Sequence, residues 1–159
     1  MPCQAFSCSG YALSERPMPT LEDAILLAAQ THRGQMDKVG QPYILHLLRV
    51  MLRVETEQEQ IVAVLHDLVE DTSYTLDDLR TLGYSEAVVE ALDCVTRRPE
   101  ETYEEFILRA SANPLARRVK LADLEDNMDI RRLPMVSEKD QERLNRYIAA
   151  WRQIRAIGR

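Results

Sequence analysis

Apolar side chains recur along this chain every three or four positions, the period of a helix with one buried stripe, and no segment keeps the two-residue alternation of a half-buried strand. Thr20 suits the cap of a first helix carrying Leu21, Ala24, Ile25 and Ala28, which stops near Gly34. Pro42 fits a first helical turn, and a helix from Ile44 to Val54 follows. A central helix is predicted over roughly 57–70. Thr75 caps a short helix that Gly83 ends, and Ser85 caps another, striped by Val88, Leu92 and Val95 and closed by Pro99. Thr102 and Glu105 form a capping box ahead of Phe106 and Ile107. Asn113-Pro114 opens a helix that runs to about Leu133, before Pro134. Ser137 starts the last one, with Leu144, Tyr147, Ile148, Trp151 and Ile154 as its stripe. The prediction is a single all-α domain of about seven or eight short helices over residues 19–159. An irregular or disordered leader over residues 1–18 precedes it, with Pro2, Gly10 and Pro17.

A chain of 159 residues is long enough to bury one real core. Its formal charge of -6 argues against a general nucleic-acid binder. The arginine pairs Arg97-Arg98, Arg117-Arg118 and Arg131-Arg132 are scattered and read as solvated helix surface. Three cysteines without framework spacing, Cys3, Cys8 and Cys94, predict reduced thiols and a cytoplasmic protein. The leader has no basic start and no continuous apolar stretch, so no secretory signal is expected. No apolar run approaches membrane-spanning length, so no membrane partner is expected either. Self-association is left open: the sequence neither requires nor excludes a homo-oligomer.

The central segment Ile61 to Asp71 changes this picture. It is apolar almost all round, which predicts burial, yet it holds His66-Asp67 and Glu70-Asp71. His66 shares a helical face with Glu70, and Asp67 with Asp71. Buried carboxylates need compensation, and a divalent cation held by His66 and Asp67 is the simplest. Glu70 and Asp71 would then sit one turn on, placed to handle a water. The helix after Pro42 adds His46, and the helix after Pro114 adds Asp123 and Asn127 on one face. Two imidazoles and two carboxylates suit a borderline divalent ion such as Mn²⁺, with positions left for water or substrate. Blander readings stand beside each assignment. His46 alone could be a hydrogen-bonded core residue, Asp123 a partner of Lys120 or Arg117, and Glu70 and Asp71 exposed residues at a helix end. His32 reads as structural, closing the first helix beside Gly34.

Four pieces occur in order: His32-Arg33-Gly34-Gln35, Gly40 to His46, Leu65 to Thr72, and Val119 to Asp123 followed by Asn127-Met128. Together they resemble the HD-type phosphohydrolase domain of the RelA/SpoT homologues, over roughly residues 20 to 155, and the short chain resembles the stand-alone small alarmone hydrolases. The resemblance implies an HD-type helical fold and an Mn²⁺ site with ligands His46, His66, Asp67 and Asp123. It implies Glu70 and Asp71 as the catalytic acid pair and a small-molecule nucleotide as substrate. The family reaction removes pyrophosphate from the 3′ position of guanosine tetra- or pentaphosphate, and the family's synthetase domain has no counterpart here. Lys38 falls on the substrate-side lysine and Asn127 on the ribose-contacting asparagine. Arg143 and Tyr147 resemble the pair that contacts phosphate and ribose, although the stripe equally places Tyr147 in the core. Two positions depart from the pattern. Asp37 stands where the family carries an arginine expected to stack on the purine, and Leu47 stands where proline is usual. Asp37 keeps other substrates open: an adenine alarmone, NADPH or a nucleoside monophosphate. A non-catalytic nucleotide sensor on the same scaffold is the reading from another class.

Overall fold

The computed structural model describes residues 18–157. The predicted leader, with Cys3 and Cys8, lies outside them except for Met18. The described chain is all-α: α1 (Leu21–Thr31), α2 (Ile44–Met51), α3 (Glu57–Leu65), α4 (Leu68–Asp71), α5 (Leu76–Leu82), α6 (Glu86–Val95), α7 (Tyr103–Ala112), α8 (Pro114–Asn127) and α9 (Glu138–Ile157). A 3₁₀ turn, Ile130–Arg132, joins the last two. Among the described residues the only strand-like pairing is an isolated bridge between Met36 and Pro42, and no helix is long and apolar enough to cross a membrane.

Local chemistry starts these helices where the sequence predicts. Thr20, Thr75 and Thr102 each accept from the backbone three residues on, and the acid there accepts from the threonine's own N–H. Thr56 with Glu59 forms a fourth such box ahead of α3. Gly83 closes α5 at φ +98°, a conformation that an L side chain rarely adopts. Asn113 ends α7 and also begins α8: its side chain accepts from the Ala116 N–H, and Pro114 takes the first helical position.

α3 is the centre of the molecule. Ile61, Val62, Ala63, Val64 and Leu65 are buried on every side, packed between α1, α2, α6 and α8. A smaller cluster of Phe106, Ile107, Leu124, Ala150 and Ile154 joins α7, α8 and α9.

Three predicted helices end early. The central one breaks at His66-Asp67, so the continuous 57–70 element becomes α3 and the single turn α4. The reason is local: the His66 ring Nδ1 pairs with the Ala63 carbonyl at 2.7 Å, the acceptor that Asp67 N–H would use in a continuous helix. Glu70 and Asp71 consequently lie at an exposed end rather than in a buried stripe. The helix after Pro42 stops at Met51, before Val54. The helix after Pro114 stops at Asn127, where the Asn127 amide bonds back to the Asp123 carbonyl and the 3₁₀ turn takes over. In α9 the predicted stripe is only partly buried. Ile154 is fully enclosed, Ile148 is exposed, and Tyr147 faces the cleft described below.

Candidate metal centre and cleft

The loop ahead of α2 sets the position of the first imidazole. Asp37 Oδ1 accepts from the N–H groups of Val39 (3.0 Å) and Gln41 (2.9 Å), and the Asp37 N–H donates to the Gln41 carbonyl at 2.8 Å. Gly40 turns there at φ +77°. α2 then carries His46 to a point between α3 and α8. Its Nδ1 meets Asp126 Oδ2 at 2.8 Å, and its Nε2 lies 3.3 Å from Asp123 Oδ1 and 3.9 Å from Asp67 Oδ2. His66 has the same division of labour. Nδ1 is taken by the Ala63 carbonyl, and Nε2 lies 3.1 Å from Asp67 Oδ2 and 3.7 Å from Asp123 Oδ1. The two rings meet edge-on with centroids 5.3 Å apart. Donor atoms of His46, His66 and Asp67 all lie within 4.8 Å of one another, and Asp123 faces the same space from α8.

The electrostatics favour positive charge at this point. Burial pushes the Asp67 carboxyl up, but the adjacent His66 imidazole more than offsets it and holds the group at about 2. Burial likewise opposes ionisation of Asp123, yet Lys120 and both imidazoles hold it well below the carboxylate range. In turn, Asp67 and Asp123 draw His66 toward protonation against its burial, and Asp123 and Asp126 do the same for His46. Two acids held in the ionised form thus face two imidazoles, with Lys120 beside them, and the space between them favours positive charge. With each Nδ1 engaged elsewhere, both Nε2 atoms present their lone pairs inward, and the donor set fits a divalent cation.

Further groups brace the cluster. The Tyr43 hydroxyl donates to Asp67 Oδ2, and burial beside that carboxylate raises the phenol far above its ordinary value. Lys120 Nζ contacts Asp123 Oδ2 at 2.8 Å and sits 4.8 Å above the centre of the Phe106 ring.

A cleft of about 380 Å³ opens from the cluster. His46, Asp67 and Asp123 line it together with Lys38, Asn127, Arg143 and Tyr147, so the residues predicted to touch substrate share one cavity with three of the four predicted ligands. Burial, then the neighbouring Arg143, lowers the Lys38 ammonium. Arg143 is held by Asp140, and the Asn127 amide is drawn to Asp123. Met36, Val39 and Leu133 supply an apolar part of the wall. Asp37 also lines the cleft, but its carboxylate is turned into its own loop and pairs with Arg132 at 3.5 Å. Glu70 and Asp71 do not line this cavity. Glu70 accepts from the Arg97 N–H, and Asp71 Oδ2 accepts from the Gln35 amide at 2.8 Å. Glu70 remains within electrostatic reach of the centre. Partial shielding from solvent raises its carboxyl although the residue is largely exposed, the Arg97 N–H opposes that, and Asp67 pushes it up again. His32 caps α1 with Nδ1 2.6 Å from Gln35 Oε1, as a structural residue should.

Sequence reasoning gave no role to Tyr43 or Asp126. Tyr43 lies inside a quoted motif, three residues before His46. Asp126 lies three residues after Asp123, a spacing that shares a helix face.

No family model matches the chain. A protein of Myxococcus xanthus named GTP pyrophosphokinase is 30% identical over an alignment of 172 positions, which spans 89% of this chain and 22% of that protein. A protein of Aquifex aeolicus named guanosine-3′,5′-bis(diphosphate) 3′-pyrophosphohydrolase is 31% identical over 120 positions, 68% of this chain and 17% of that protein. The chain therefore spans about a fifth of the length of these curated relatives. A solved structure described as a metazoan ortholog of SpoT that hydrolyzes ppGpp superposes with a TM-score of 0.70 at 22% identity, covering 92% of this chain and 88% of that one. At that identity the match speaks for the fold, and the fold is the same helical one.

Proposed function

Because this chain is homologous to a segment of the RelA/SpoT proteins and carries an HD-type helical fold, we propose that residues 19–159 form a metal-dependent phosphohydrolase domain acting on a nucleotide, with residues 1–18 as its leader. The reaction it fits best is removal of the 3′ pyrophosphate from guanosine 3′,5′-bis(diphosphate), in the cytoplasm. One observation carries the proposal: two imidazoles, each with Nδ1 already engaged, turn Nε2 toward Asp67 and Asp123, two acids that line a cleft.

His46, His66, Asp67 and Asp123 would hold the cation, and Mn²⁺ suits this mixture of imidazole and carboxylate. When bound, such an ion supplies Lewis-acid polarisation of a phosphoryl oxygen and lowers the pKa of water. The chain's own groups do the rest. Lys38 and Arg143 lie on the cleft wall, where they offset phosphate charge. Asn127 and Tyr147 lie beside them to contact the ribose. Glu70, one turn beyond His66 and with its carboxyl raised, accepts the proton of the attacking water, and Asp71 is steadied beside it by Gln35. The water oxygen bonds to the phosphorus next to the ribose, the bond from that phosphorus to the ribose 3′ oxygen breaks, the 3′ oxygen takes up a proton to become a hydroxyl, and pyrophosphate is released.

A second reading keeps the chemistry and widens the substrate to an adenine alarmone, NADPH or a nucleoside monophosphate. Asp37 favours it. The residue spends its carboxylate on Val39, Gln41 and Arg132, and leaves an apolar wall of Met36, Val39 and Leu133 that any base can face.

The test is purified protein with Mn²⁺ and a panel of guanosine and adenosine nucleotides, with products identified by mass. Release of pyrophosphate from the guanosine bis(diphosphate) is expected, and His66→Ala and Asp67→Ala should each abolish Mn²⁺ binding and turnover together. Full turnover in metal-stripped protein refutes the proposal.

A further inference from the structure

Asp126 has no solvent exposure, and its carboxylate meets four side chains. Arg49 approaches it with Nε at 2.8 Å from Oδ1 and Nη2 at 3.2 Å from Oδ2. Arg132 Nη2 lies 3.3 Å from Oδ2 and also donates to the Asp126 carbonyl at 2.7 Å. Arg53 Nη2 stands a further 3.9 Å from Oδ1, and these three guanidinium groups are ample compensation for one buried acid. The remaining contact, His46 Nδ1 at 2.8 Å, is therefore not needed to pay for burial. Its effect falls on the ring. Nδ1 and Nε2 point in different directions from one rigid imidazole, so anchoring the first to α8 fixes where the second points. That direction leads to Asp123 Oδ1 and Asp67 Oδ2.

We propose that Asp126 is a positioning residue: it holds the His46 imidazole with Nδ1 as donor, so that Nε2 is presented to the cleft cluster before any ion arrives. The inference rests on the metal-centre reading for its purpose, but the orientation it asserts is a property of the protein alone. It also gives His46 and His66 different supports. His66 is aimed by a backbone carbonyl one turn away, which no substitution removes, whereas His46 depends on a single side chain from another helix. Outer partners of this kind commonly change metal affinity by about 10- to 100-fold when lost.

The experiment compares the parent, Asp126→Asn and Arg49→Gln by three readouts: melting temperature, Mn²⁺ affinity by calorimetry, and the ring N–H signal of His46 by NMR in metal-free protein. Arg49→Gln disturbs the same buried charge without touching His46. The expected result is a solvent-protected His46 Nδ1–H in the parent and in Arg49→Gln, lost or shifted in Asp126→Asn. Mn²⁺ affinity should fall about 10- to 100-fold in Asp126→Asn and stay within about threefold in Arg49→Gln, even where both variants melt lower. Equal affinity losses in the two variants, or an unchanged His46 signal in Asp126→Asn, overturn the proposal. A parent that binds no Mn²⁺ at all refutes the metal-centre reading instead, and the ring signal then decides the role of Asp126 by itself.

Discussion

Glu70 shows how much one position can ask of a side chain. It stands one turn beyond His66, with its carboxyl raised by partial shielding from solvent and by Asp67, while the Arg97 N–H holds it in place. A carboxylate works as a base only when ionised, so turnover should fall as pH drops through its raised pKa. That places the acid limb above the value of about 4.3 usual for glutamate. Glu70→Gln should leave Mn²⁺ affinity intact and cost about 10²- to 10⁴-fold in kcat, which a metal titration beside steady-state kinetics checks directly. The inner residues were legible because an adjacent His-Asp pair in an otherwise apolar segment demands an explanation, and His46 and Asp123 supply the missing partners. Asp126 was not. Spacing shows that it shares a face with Asp123, but not which of the two acids meets the far side of an imidazole from α2. Lys38 and Arg143 lie about a hundred residues apart, and only a family resemblance could put them on one wall.

Among the elements, the connection between α6 and α7 depends on Arg109. Its guanidinium holds both carboxylate oxygens of Glu101 at 2.7 Å, donates to the carbonyls of Asp93 and Thr96, and lies over the Phe106 ring. Arg109→Gln should destabilise the fold by about 1–3 kcal/mol, read by chemical denaturation. The Arg109 hydrogen bonds hold the Glu101 carboxyl below its ordinary range. A depressed acid contributes stability above its unfolded pKa of about 4.3 and loses it as pH falls through the folded value. The gap between parent and variant should therefore be full at neutral pH and narrow in acid. Helix starts were readable because a cap is a local contract between residues three apart, as with Thr20 and Asp23 or Thr102 and Glu105. Helix ends were less so. No propensity announces that the His66 ring will claim the Ala63 carbonyl and split one predicted helix into α3 and α4.

At the scale of the molecule, a chain of net charge -6 places Lys38, Lys120, Arg132 and Arg143 around one cleft beside Asp37, Asp67, Asp123 and Asp129, so cations there match the acids although the chain as a whole is acidic. An ion that binds the folded cluster but not the unfolded chain must also raise the melting temperature. At a free concentration 100 times the Kd the gain is about 2.7 kcal/mol. Thermal unfolding with and without Mn²⁺ should show that rise in the parent and none in His66→Ala. The all-α class was legible because helical periodicity survives any rearrangement of neighbours. The cleft was not, since it is made by the approach of α2, α8 and α9, and no stretch of chain contains it.

Asn113 serves two helices at once, and this leaves no slack where α7 passes into α8. One extra residue placed there, inside the helix, would rotate everything downstream by about 100° about the α8 axis. Asp123 would swing off the imidazoles while every side chain kept its identity. The length of this junction is thus as strict a requirement as any of the groups it delivers, and a chain repaired at each polar position but lengthened by one at the hinge would be silent.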